Sequence, residues 1–122
     1  EEVKEIITEK VDQAKVEAIA KAKELAAKII QTAQAQSDKL VSEATKQAED
    51  LRAKGYAEAK KVEDSAKNVL EKAAKRALAD KARKETDKQA DGIIAKANEQ
   101  AAAIMSKAQS DSDALIQKAE NQ

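Results

Sequence analysis

Asp111 and Asp113, in the stretch QSDSDA, are the pair of side chains whose types first suggest chemistry. Carboxylate oxygens are what Ca²⁺ and Mg²⁺ take as ligands. On a helix, however, residues two apart do not face each other, and no glycine-containing calcium loop surrounds this pair. The chain has no His and no Cys. A His-assisted nucleophile, a thiolate and the usual zinc site therefore cannot be assembled from it. Its sequence also has no glycine-rich phosphate-binding loop. The expectation is a non-enzyme with no catalytic residue, no metal ligand set and no cofactor.

Charge is the other chemistry that these residue types allow. Residues 67–88 carry eight basic and four acidic side chains, and residues 1–12 carry five acidic and two basic ones. The whole chain balances at 23 of each sign. A basic segment can meet nucleic acid or anionic lipid. Acidic residues run through this one and no aromatic is interleaved, which argues against nucleic acid and for a solvated helix face or a bend.

These side chains must be carried by helices. Charged residues make up 38% of the 122 residues, Pro is absent, and Tyr56 is the sole aromatic. Ala, Lys and Glu in such proportions, without Pro, mark long helices and coiled coils. The longest apolar run, Ala101 to Met105, is far short of the roughly 20 residues that a membrane-spanning helix needs. The chain starts at Glu1 rather than Met, so a leader, an anchor or a larger domain upstream stays open.

Cut into elevens from Glu1, the sequence aligns Ile7, Ala18, Ile29, Leu40, Leu51, Val62 and Ala73 in the seventh column. Its eleventh column holds Val11, Ala22, Ala33, Ala44, Gly55, Ala66 and Ala77. The third column is mixed, with Val3, Ala14, Leu25 and Val69 among polar residues. Columns three, seven and eleven form one stripe along a helix. Eleven residues over three turns is about 3.67 per turn, so a near-straight helix with slight right-handed supercoiling keeps that stripe against a partner. An isolated helix of this kind buries nothing, so a partner is required.

The segments 87–97, 98–108 and 109–119 repeat the pattern, with Ile93, Ile104 and Leu115 in the seventh column and Ala97, Ala108 and Ala119 in the eleventh. Ala77 and Ala97 are two residues short of two full repeats apart, which rotates the stripe by about 200°. A chain reversal restores facing stripes. The polar stretch 80–88 is the expected place, with Thr86-x-x-Gln89 as a capping box; Asn68-x-x-Glu71 offers an alternative break near 67–69. The predicted organisation is a long helix over 1–79, a reversal over 80–88 and a second helix over 89–122. The fold class is all-α, an antiparallel helical hairpin or an extended, near-straight or right-handed coiled coil.

The expected helix–partner interface is Ile29, Leu40, Leu51 and Val62 against Ile93, Ile104 and Leu115, and Asp at Leu40 or Ile104 should disrupt it. Gly55 falls in the close-packing column, where a small residue has a reason. Gly92 lies outside the stripe and has none beyond tolerance.

The stretch IIQTAQAQSDKLVSEATKQAEDLRAKG resembles the coiled-coil stalk of ATP synthase b-type and E-type peripheral-stalk subunits, through repeat pattern rather than a unique motif. The ending KQADGIIAKANEQAAAIMSKAQSDSDALIQKA is similar to the helical C-terminal tails of AsmA-like bacterial envelope proteins, which implies the cell envelope or periplasm. Late-embryogenesis-abundant proteins share eleven-residue Ala/Lys repeats but have fewer Ile and Leu pairs. None of these resemblances supplies a catalytic residue. They imply a structural stalk, spacer or tether that pairs with helices of its own or another chain, as a homo-oligomer or not. The alternatives are an amphipathic module binding an anionic membrane surface or a partner helix, and a protective, stress-type protein.

Overall fold

The computed structural model describes residues 2–122, with side chains from residue 3 onward; Glu1 and the side chain of Glu2, part of the acidic N-terminal segment, lie outside the described residues. Two helices account for nearly all of it, α1 (Glu2–Asp64) and α2 (Val69–Asn121), with no strand among the described residues. The absence of Pro lets both run unbroken. Threonines inside α1 turn their hydroxyls to their own helix: Thr8 and Thr45 each donate to the carbonyl four residues back, at 2.8 Å. The fold is all-α, a helical hairpin.

The chain reverses over 65–68 with no glycine, no proline and no positive φ. Its hydrogen bonds explain how. The Glu71 backbone N–H donates to Asn68 Oδ1 at 2.8 Å, and the Glu71 carboxylate accepts from the Lys67 backbone N–H at 2.7 Å. Asn68 thereby caps the start of α2 and satisfies a donor that has no partner within the helix. At the end of α1, the Ser65 hydroxyl donates to the Val62 carbonyl at 2.7 Å. Lys75 brings its ammonium to the Ser65 carbonyl, 3.1 Å, and hydroxyl, 2.8 Å, a cation at the negative end of the helix dipole.

The expected reversal over 80–88 is corrected by this structure: α2 runs through it, and the turn at 65–68 overlaps the alternative break near 67–69. The two-residue phase shift in the repeats is present, but it falls at the turn. In α2 the buried Ala79 and Ala90 are eleven apart, and Ala97 and Ala108 are eleven apart, so the elevens of α2 extend back through the polar stretch. Ala73 and Ala77, which continue the α1 register in sequence, are exposed. Thr86 caps nothing; it sits inside α2, against Gly55.

Packing divides the chain into two units. The first comprises α1 up to Ser37 together with Ala102–Gln122, the two in contact from Ala18 onward. Ala22 and Ala119 line one shallow groove, and Ala33 and Ala108 another, so the two helical segments are antiparallel. In the second, Asp38–Ala101 fold around the turn, with Ala44 beside Ala97 and Gly55 against Thr86.

Candidate functional site

The residues that hold the two helices together are the smallest ones. Buried side chains are Ala22, Ala26, Ala33, Ala44, Ala48 and Ala59 on α1, and Ala79, Ala90, Ala97 and Ala108 on α2, with Ser37 and Ser112. On α1 they are the eleventh and fourth columns of the repeat; α2 buries the corresponding columns of its own elevens. These columns lie about 33° apart on the helix, and together they make a seam of small side chains. A methyl group buries little area, so the seam works by bringing backbones close and gaining dispersion contacts along its whole length. Ser112 shows how close: its hydroxyl donates to the Ala26 carbonyl of the opposite helix at 3.0 Å.

Large aliphatics border this seam instead of filling it. Ile29 and Ile104 line one groove in the first unit, and Leu40 and Ile93 line one in the second. Leu115 shares a groove with Ala18, Ala22 and Leu25. Leu51 is half-buried and Val62 is exposed. The third column, read from the sequence as part of the stripe, lies outside: Leu25 is 45% exposed and Val69 86%. The fourth column was missed, although Ala26, Ser37, Ala48 and Ala59 place a small residue there in four successive repeats.

Gly55 marks a close step. A Cβ there would stand 2.5 Å from Thr86 Cγ2 and 2.9 Å from its Cβ, distances that real Cβ atoms do not tolerate. Around Gly92 the corresponding space is open.

Beside Gly55 the polar stretch finds its use. Arg52 pairs with Asp91 and stands 3.6 Å from Asp87. The Tyr56 hydroxyl donates to Asp87, 2.9 Å from Oδ2. Arg83 lies over the Tyr56 ring, 5.9 Å from its centre, and pairs with Glu63 and, at 3.0 Å, with Asp80. The bond to Asp87, with desolvation behind it, raises the Tyr56 pKa; the bond from Arg83 lowers that of Glu63. Here the Asp and Arg of the expected loop reach across to α1 as part of a helix. The network is open to solvent and its charges satisfy one another, an arrangement suited to holding helix register.

Asp111 and Asp113 do not converge. Asp111 pairs with Lys107 at 3.3 Å, and Asp113 accepts from Gln109 at 3.0 Å. No group of metal-ligating side chains forms among the described residues. No described helix is long and apolar enough to cross a membrane. Compared with protein-family models, curated proteins and solved structures, the chain matches none.

Proposed function

We propose that the chain is a non-catalytic structural module, an eleven-residue-repeat coiled coil used as a stalk, spacer or tether. The observation that carries this reading is the seam: Ala and Ser in two columns, repeated at eleven, in both units. A seam built from one repeated step can be lengthened or shortened without redesign, which is what a spacer needs. The likeness of repeat pattern to peripheral-stalk subunits and AsmA-like tails supports the same reading. Circular dichroism in buffer, with and without vesicles of phosphatidylserine and phosphatidylcholine, tests it. High helicity in buffer that vesicles leave unchanged is expected. Low helicity that rises sharply on vesicles would replace it with the lipid-surface module, and low helicity that rises only on drying with the protective protein.

A further inference from the structure

The side of α2 turned away from the seam opens with aliphatic residues and continues with lysines. Leu70, Ala73, Ala74, Ala77 and Leu78 are all exposed, Leu70 at 84% and Leu78 at 61%, and Val69 beside them is 86% exposed. Leu70 lies about 180° around the helix from the fully buried Ala79. Val69, Leu70 and Leu78 together spread over about 180° of the helix circumference. This face starts at the closed end of the hairpin, where the chain reverses over 65–68.

Lys81, Lys84 and Lys88 continue the same face, each within about 40° of Leu70, with Glu85 at its edge. The other acids of the segment are engaged elsewhere. Glu71 accepts from the Lys67 backbone, Asp80 pairs with Arg83, and Asp87 takes the Tyr56 hydroxyl and stands near Arg52. Lys67, Lys81, Lys84 and Lys88 pair with no described acid. Aliphatic and basic side chains therefore follow one another along one face instead of lying side by side. A partner helix covers one narrow stripe and cannot reach both Val69 and Leu78. A bilayer interface offers what both parts need, hydrocarbon for the aliphatics at the tip and anionic headgroups for the lysines further along.

We infer that the closed end of the hairpin docks on an anionic phospholipid bilayer, with Val69, Leu70 and Leu78 entering the interface and Lys81, Lys84 and Lys88 over the headgroups. The inference rests on the tether reading and names what one end of the tether holds. The two helices stay paired in the docked state, unlike a lipid-surface module whose helix forms on the membrane.

Flotation of the full chain with phosphatidylcholine vesicles, with and without phosphatidylserine, tests it. Binding to the phosphatidylserine vesicles should be at least about tenfold the stronger and should weaken as salt rises. Leu70→Ser/Leu78→Ser should lower it at least about tenfold, and Lys81→Gln/Lys84→Gln/Lys88→Gln should abolish the preference for phosphatidylserine. All five sites are exposed and outside the seam, so the helicity of the variants should match the parent. The chain has no Cys, so an environment-sensitive dye can be placed singly through Ala74→Cys or Ser106→Cys. Phosphatidylserine vesicles should shift the emission of the first to the blue and leave the second unmoved. Equal binding to both vesicles, binding to neither, or an unmoved dye at position 74 overturns the inference. So does a blue shift at both positions with a rise in helicity, which would mean that the helices lie open on the membrane. Self-association that Leu70→Ser/Leu78→Ser removes, without vesicle binding, would assign the face to a second copy instead. Low helicity in buffer would overturn the tether reading and this inference with it, whereas a fully helical chain that binds no vesicle overturns the docking alone.

Discussion

Tyr56 has no other aromatic beside it in the sequence, so its phenol can be followed alone by tyrosinate absorbance. The hydrogen bond to Asp87 holds its pKa above the ordinary 10.0. A raised pKa means the fold favours the neutral phenol. Its contribution to stability is complete below the ordinary value and is lost as pH rises through the folded one. Asp87→Asn should bring the titration midpoint down toward the ordinary value, and an unmoved midpoint would show that the bond is not held in solution. The two glycines should respond in opposite senses. Gly55→Ala should cost about 1–3 kcal/mol by forcing a methyl against Thr86. Gly92→Ala meets open space and should gain about 0.5–1 kcal/mol from helix propensity. Adding Thr86→Ala to Gly55→Ala installs the Ala–Ala step found at Ala44 and Ala97, and should recover most of the loss. Urea midpoints of these three variants and of Thr86→Ala alone read all of this, and simple additivity of the Gly55 and Thr86 changes would refute the contact.

At the scale of the helices, the seam reverses the usual ranking of core substitutions. Ala48 is fully buried, so Ala48→Leu has to push the helices apart and should cost at least about 3 kcal/mol. Leu40→Ala, on the half-buried border, should cost only about 1–2 kcal/mol. Leu40→Asp can turn its carboxylate from the groove to water, so it should be milder than Ala48→Asp, which would bury an unpaired charge. Thermal melts of these variants settle the order; Leu40→Ala proving worse than Ala48→Leu would mean the aliphatics, not the alanines, form the seam. The turn depends on its caps in the same way. Asn68→Ala removes the acceptor of the Glu71 N–H and should cost about 1 kcal/mol.

For the molecule as a whole, the repeat predicts which deletions are tolerated. Removing 40–50 from α1 and 91–101 from α2 takes one eleven from each arm of the second unit. The columns on either side keep their faces, and the shortened chain should remain helical and cooperatively folded, with a somewhat lower melting temperature. Removing residues 91–92 alone turns the remainder of α2 by about 200° and should cause a far larger loss in the same melt. Equal damage from both deletions would refute a modular seam.

Much of this design was legible in the sequence. Helix formation comes from composition, and the period of eleven from column counting. The small residue at Gly55 has its reason in the close-packing column, and Asn68 and Glu71 stand as a cap before the turn is seen. A linear pattern reports spacing and phase, and both are local properties of one helix. It does not report on which side of the eleventh column a partner sits: the seventh column lies about 33° to one side and the fourth about 33° to the other. The sequence reading extended the stripe through the seventh column to the third, whereas packing buries the fourth, whose small residues let the helices approach. The same limit hid the turn. Ala73 and Ala77 carry the first register past the true turn in sequence, so column counting places the two-residue phase shift after them although both are exposed. Tertiary structure put it at 65–68, where caps satisfy the helix ends, and turned the charged stretch 80–88 into the clasp that Arg52, Tyr56 and Glu63 complete.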